Sequence, residues 1–139
     1  MIRGARVILF AKAPRAGRAK TRLAADIGVG PALRFQRACA DAALRRLAQG
    51  PWTPWLACAP DGYARAAHRA WPAARRWRRC GQGRGDLGRR MLRALAGGRP
   101  GMAVVVGADA PDLSADALRA VLRAARRGVC SAICSSPTR

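Results

Sequence analysis

Apolar positions in this chain fall into short runs and helical stripes that alternate along its length. Val7 to Phe10 is an unbroken apolar run, the pattern of a strand buried on both faces. After a polar turn, Asp26 to Gly30 reads as a connector. Pro31 suits the first turn of a helix predicted to reach about Gln49. Its apolar stripe is Cys39, Ala40, Ala43, Leu44 and Leu47, with arginines mostly on the other side. Gly50-Pro51 stops the helix. Trp52 to Ala59 then reads as a second strand, which Pro54 pushes toward a sheet edge. Pro60-Asp61-Gly62 is a turn, Tyr63 to Trp71 a short helix ended by Pro72, and Arg76 to Cys80 a short, poorly apolar strand. Gly81 to Gly88 is a glycine-rich loop leading into a helix from about Leu87 to Ala96. Met102 to Val106 is a β-branched strand, followed by a tight loop with Asp109 and Asp112. Leu118, Val121, Leu122 and Ala125 mark a last amphipathic helix, with Ser114 as N-cap, although Asp112 could fill that role, and Asp116 suited to its dipole.

Strands alternating with helices predict an α/β fold with a parallel sheet covered on both faces. Ligands of such sheets bind beyond the carboxyl ends of the strands, and both the loop after Phe10 and the Asp109 loop leave strands there. The chain shows no internal repeat and no low-complexity linker.

Composition changes this picture little. The 139 residues make one domain, and the formal net charge of +20 invites a nucleic-acid partner. Arg outnumbers Lys 25 to 2, Glu is absent, and Ala plus Arg make 57 residues, a skew that a GC-rich coding sequence produces. The arginines are spread over nearly every segment, aromatics for base stacking are few, and no nucleic-acid motif accompanies them. Nonspecific polyanion binding at low salt is expected, and a specific nucleic acid is not. The five cysteines fit no zinc spacing, and an odd number without a signal segment points to reduced thiols in the cytoplasm. Cys39 and Cys58 read as small buried hydrophobes. His68, the only histidine, reads as a surface residue on an Arg-rich helix. No stretch could span a bilayer.

Candidate chemistry lies in three loops. Lys12, Pro14, Arg15, Gly17, Arg18, Lys20 and Arg22 crowd cations around a turn in which Gly17 permits close approach, a place for phosphate oxygens. Ala19 before Lys20-Thr21 excludes a Walker A loop. Gly107 to Leu113 puts Asp109 just past a buried strand, where a carboxylate can hold Mg²⁺ or Mn²⁺ bridging nucleotide phosphates. Gly83, Gly85 and Gly88 spell the dinucleotide pattern, with Asp109 about twenty residues on. The hydrophobic strand that should precede them is replaced by Arg75 to Cys80, which argues against an NAD-binding domain.

Three segments in order resemble the signatures of a family of GT-A-like transferases related to molybdenum-cofactor and phospholactate guanylyltransferases. Phe10, Ala11, Lys12, Pro14, Gly17, Lys20, Thr21, Arg22 and Leu23 match FAKxPxxGxxKTRL; Gln82, Gly85, Asp86, Leu87, Gly88, Arg90 and Met91 match QxxGDLGxRM. GADAPDL from Gly107 resembles GSDCPDL, with Ala108 and Ala110 in place of Ser and Cys. The resemblance covers Val7 to about Gly128 and implies a Rossmann-like three-layer sandwich of GT-A (nucleotide-diphospho-sugar transferase) type. It further implies a metal-dependent, glycosyltransferase-like enzyme with a nucleotide-sugar donor, or a nucleotidyltransferase acting on a nucleoside triphosphate. Lys20 and Asp109 would be catalytic; Lys12, Arg15, Gly17, Lys20 and Arg22 would bind the phosphates and Asp86 the base or ribose. Asp109 would hold Mg²⁺ or Mn²⁺. Residues 1–128 read as the nucleotide-binding domain and 129–139 as a divergent tail, because relatives continue with a strand and a GPAxDGGYxLIGL-like segment that is not seen here. The fold is therefore expected to be incomplete at the C-terminus, and a noncatalytic nucleotide-binding fragment is the competing expectation.

Overall fold

The computed structural model describes residues 4–15, 21–98, 100–109 and 112–127. Its elements run β1 (Arg6–Lys12), α1 (Thr21–Ile27), α2 (Val29–Leu47), β2 (Thr53–Ala59), α3 (Ala67–Ala70), β3 (Arg78–Gly81), α4 (Leu87–Ala96), β4 (Ala103–Gly107) and α5 (Ala115–Arg127). Two 3₁₀ turns, Asp61–Arg65 and Pro72–Arg76, flank α3. The four strands form one all-parallel sheet in the order β3-β2-β1-β4. This is the α/β, GT-A-type architecture expected from the sequence.

β1 has a strand on either side and helices packed on both faces of the sheet, so Val7 to Ala11 are all buried. That is why its sequence is a run and not an alternation. On one face Val7, Leu9, Leu56, Cys58, Val104 and Val106 pack against Ala40, Ala43, Leu44 and Leu47 of α2 and Leu118 and Leu122 of α5. On the other face Ile8, Phe10, Ala57 and Val105 meet Met91, Ala94 and Leu95 of α4. Each fully buried leucine contributes roughly 1.5–3 kcal/mol by leaving water. The crossovers from β1 to β2 and from β2 to β3 both use the α2 face, whereas the return from β3 to β4 uses the α4 face.

Several sequence expectations shift. Pro54 sits in an interior strand, not at an edge. The Thr53 N–H donates to the carbonyl of Ala5, the residue just before β1, so the nitrogen of position 54 faces the β3 side, and the β3 ladder begins only at Trp55. No ladder bond is lost there. The connector before α2 shrinks to Gly28: its N–H bonds Ala24 O to close α1, and its carbonyl accepts from Ala32 N to open α2. A φ of 92° lets glycine alone serve both ends. The segment expected as one helix from Tyr63 to Trp71 is a 3₁₀ turn followed by the single turn of α3. Ser114 caps α5, its Oγ accepting from Ala117 N at 3.1 Å, so Asp112 is not needed as a cap. The tail, residues 129–139, lies outside the described residues.

Tryptophans close the end of α2. Trp52 Nε1 donates to Leu47 O at 2.7 Å, among the last carbonyls that a helix C-terminus leaves without intrahelical partners, and Trp77 Nε1 adds a bond at 3.1 Å to Leu44 O, which also accepts from Ala48 N. Arg6 does the same for α4, donating to Ala94 O and Leu95 O where the helix dipole favours a cation.

Candidate functional site

Because all four strands are parallel, their carboxyl ends share one edge. The chain lays down β1, builds outward through β2 to β3, then returns to the other side of β1 as β4. The strand order therefore reverses between β1 and β4, the topological switch point where open α/β sheets hold their ligands. Phe10 and Gly107 are register partners, and Lys12 and Asp109 each lie two residues further along. Both side chains are exposed. The geometry thus brings Lys12 and Asp109 to adjacent strand ends.

The loop after β1 is anchored before it turns outward. Ala13 N donates to Ala59 O at 2.8 Å, extending the β1–β2 ladder, and Ala13 and Pro14 are buried while Arg15 is exposed. Arg22 is exposed in the first turn of α1, downstream of the same loop. Gly17 and Lys20 fall outside the described residues.

The loop after β3 is held at almost every residue. Gln82, only 5% exposed, is the one buried polar side chain among the described residues. Its Nε2 donates to Ala11 O (3.3 Å) and Ala57 O (3.1 Å), across the β1–β2 seam, and its Oε1 accepts from Arg90 Nη1 at 2.6 Å. Arg93 donates to the carbonyls of Gln82 and Arg84. Gly83 and Gly85 take φ of 81° and 106°, conformations that favour glycine at both positions; of the two, only Gly85 belongs to the middle signature. Asp86 is the N-cap of α4, its Oδ1 accepting from Arg89 N at 2.8 Å. One of its oxygens is thereby engaged in local structure.

Asp61 was read from the sequence only as part of a turn. It follows the cis Ala59–Pro60 bond at the end of β2, and its Oδ1 accepts from Gly83 N at 3.0 Å. Its carboxylate occupies the space that a Cβ at Gly81 would need, so Gly81 is glycine because Asp61 lies over it. The available signal was an acid directly after an apolar strand, the same signal that singled out Asp109. Along the carboxyl edge the order from β3 to β4 is Asp61, the Lys12–Arg15 loop, then Asp109.

Thiols and phenol near this edge are shifted by burial. Burial, aided by Cys80 and opposed by Arg79, pushes the Cys58 thiol up to about 12. Cys80 rises through burial and then Asp61, and Tyr63 rises through burial against the opposing charges of Arg37 and Arg15. Cys39 is half-buried and Cys58 fully so. His68 is half-buried and bonds Arg79 through Nδ1 at 2.8 Å, in keeping with a structural surface residue.

Among the described residues no cluster of three or more His, Cys, Asp or Glu could enclose a metal ion. Mg²⁺ and Mn²⁺ are commonly held by one or two carboxylates with substrate phosphates and water, and Asp109 is an exposed carboxylate at this edge. No helix among the described residues is long and apolar enough to cross a membrane.

The model of the family DUF2064, described as uncharacterized protein conserved in bacteria, matches residues 40–137. A solved structure from Desulfovibrio desulfuricans G20, described as a "putative nucleotide-diphospho-sugar transferase", superposes with a TM-score of 0.75 at 25% identity. The match covers 88% of this chain and 54% of the other, so the chain spans about half the length of that protein. No curated protein matches the chain.

Proposed function

This chain belongs to the DUF2064 family, and we propose that it is the nucleotide-binding part of a GT-A-like transferase that takes a nucleotide-sugar donor. The observation that carries the reading is the placement of Lys12 and Asp109 on adjacent strand ends at the switch point between β1 and β4. Cations from the β1 loop, Lys12, Arg15, Lys20 and Arg22, neutralise the diphosphate, and Gly17 lets the backbone approach it. Asp109 holds Mg²⁺ or Mn²⁺, which adds positive charge at the leaving phosphate. The nucleoside lies toward β2 and β3, where Asp61 and Asp86 offer carboxylate oxygens to ribose hydroxyls or base N–H groups. Sugar transfer then breaks the bond between the anomeric carbon and the phosphate oxygen. The electron pair leaves with the diphosphate, and the preorganised cations stabilise the charge that builds there.

The likeness, at a TM-score of 0.75, to a protein described as a "putative nucleotide-diphospho-sugar transferase" supports this donor class. Nucleotidyl transfer uses the same edge and is the second reading, with a noncatalytic nucleotide-binding fragment as the third. Calorimetric titration with UDP, GDP and GTP, with and without Mn²⁺, tests the assignment. Diphosphate binding that needs Mn²⁺ and is lost in Lys12→Glu and Lys20→Glu is expected. Affinity unchanged by these substitutions moves the phosphates elsewhere; tight binding of GTP alone favours nucleotidyl transfer. A cytoplasmic location is part of the same proposal.

A further inference from the structure

The 3₁₀ turn after β2 divides the carboxyl edge into two sides. Asp61 serves the β3 side: its carboxylate lies over Gly81, accepts from Gly83 N and adds to the rise of the Cys80 thiol. Tyr63, two residues on, packs with the core of the α2 face. Its N–H donates to Pro60 O at 3.0 Å, and its ring meets buried Trp71 edge-on with centroids 5.7 Å apart.

Two contacts locate Arg37 on α2. Gln36 Nε2 donates to Lys12 O at 3.5 Å, which ties this part of the helix to the start of the β1 loop. Asp41 Oδ1 accepts from Ala73 N at 3.4 Å, which ties the next turn to the 3₁₀ turn Pro72–Arg76. Positions four apart share a side of a helix. Arg37 therefore lies on the Asp41 side, one turn nearer the carboxyl edge, where Tyr63 stands. Arg15 comes to the same place from β1. Ala13 N is bonded to Ala59 O and Arg15 N to Ala13 O, so the chain at Arg15 lies at the end of β2, where the Asp61–Arg65 turn begins. The electrostatics agree with this placement: burial raises the Tyr63 phenol, while Arg37 and Arg15 pull it down.

Neither guanidinium is used by the fold. Arg15 and Arg37 are exposed, and among the described residues neither side chain has an ion pair or a hydrogen bond. Asp41, the acid one turn from Arg37, pairs with Arg45 instead. Like charges brought to one phenol without an acid repel, and an anion between them relieves that repulsion.

We propose that Arg15, Arg37 and the Tyr63 hydroxyl form a second anion site, on the α2 side of the carboxyl edge, that takes a phosphate group, free or as a monoester. The dianion offers three terminal oxygens to two guanidiniums and one O–H donor, and its charge matches theirs. The phenol keeps its proton at neutral pH and so donates. The place marked by Lys12 and Asp109 lies between β1 and β4 instead, and Arg15 borders both.

Calorimetric titration with inorganic phosphate and with methyl phosphate, without metal and at moderate salt, tests the proposal. One anion should bind per chain, roughly tenfold or more weakly in Arg37→Ala and in Tyr63→Phe, each of which removes a charge-assisted hydrogen bond. Arg126→Ala, an equal loss of charge on the exposed end of α5, should leave the affinity unchanged. Tighter binding of the ester assigns the site to a phosphorylated compound, and tighter binding of phosphate to the free ion; either supports the site. Tyr63 is the only tyrosine, so tyrosinate absorbance reads its ionisation directly. The bound dianion should raise its pKa. Arg37→Ala should raise it in the free protein and abolish the further rise. Absence of binding, an equal loss in Arg126→Ala, or a Tyr63 titration that phosphate leaves unmoved overturns the proposal. Displacement of the phosphate by UDP with Mn²⁺ also overturns it, because the anion then lies in the donor site. A chain that binds phosphate in this way but no UDP refutes the donor reading alone.

Discussion

Replacing Gln82 with Leu isolates the contribution of one buried polar group to the site-bearing edge. Gln82 joins the β1–β2 seam to α4 through two neutral hydrogen bonds, to Ala11 O and Ala57 O, and one to the Arg90 guanidinium. Neutral bonds contribute about 0.5–1.5 kcal/mol each and one to a charged group about 1.5–3 kcal/mol. The ladder alternation supplies both carbonyls with strand partners, so neither is orphaned by the change. Arg90 is only half-buried and regains water. Burying a leucine of similar size returns part of the loss, leaving a net cost of about 2 kcal/mol. For a domain of this length that is a fall in Tm of about 6–8 °C. Urea unfolding of the variant, beside Gln49→Leu at an exposed position as control, measures it. A cost below about 0.5 kcal/mol, the range of ordinary surface substitutions, would refute the claim that this side chain fastens the loop. A double-mutant cycle with Arg90→Met should return a coupling of at least about 0.5 kcal/mol.

Other expectations follow from single groups. Asp86→Ala should cost about 1 kcal/mol as a lost N-cap; Asp86→Ser should restore stability, and a nucleotide affinity that stays low in that variant would identify a ligand contact as well. Cys58 titrates at 9.0 as a model thiol and at about 12 in the fold, so the native state keeps a proton that the unfolded chain releases. Through this group stability should therefore fall by up to about 1.4 kcal/mol per pH unit above pH 9 and level off beyond 12, a contribution that Cys58→Ala removes from alkaline denaturation curves, leaving those of Cys80 and Tyr63, which burial also raises. Asp109→Asn should abolish the Mn²⁺ dependence of UDP binding while leaving Tm within about 2 °C, because the side chain is exposed.

The order and type of most elements were legible because the core is apolar by runs in its strands and by stripes in its helices. Leu87 to Ala96 and the strand around Val104 to Val106 stand where their patterns put them. What escaped was set by backbone relations between distant segments. Nothing local shows that the nitrogen of Pro54 faces a gap in the β3 ladder, and a β-propensity rule sends it to an edge. The break at Gly28 hides a helix, because one residue at φ 92° does the work of a longer connector. At the candidate site, Asp109 stood out as an acid beyond a clear strand. Asp61 lay in the same relation to β2, but Pro60 and Gly62 on either side made it read as turn chemistry. Its contact with Gly83 spans 22 residues and has no local signature.

The middle signature shows how a motif divides between scaffold and ligand. Gln82, Asp86 and Arg90 are each spent, at least in part, on holding the loop to β1, β2 and α4. These residues therefore report a preformed loop as much as contact with a nucleotide. The β1 loop differs: Lys12, Arg15 and Arg22 are exposed and take part in no ion pair among the described residues. A cation that serves the fold has an acid or a carbonyl within reach, as Arg6 and Arg90 do. Cations gathered at a strand-order reversal without one are free to neutralise an incoming anion. Substitutions in the β1 loop should therefore change ligand affinity with little effect on Tm, and those at Gln82 should lower Tm first. That separation distinguishes a binding edge from a charged rim.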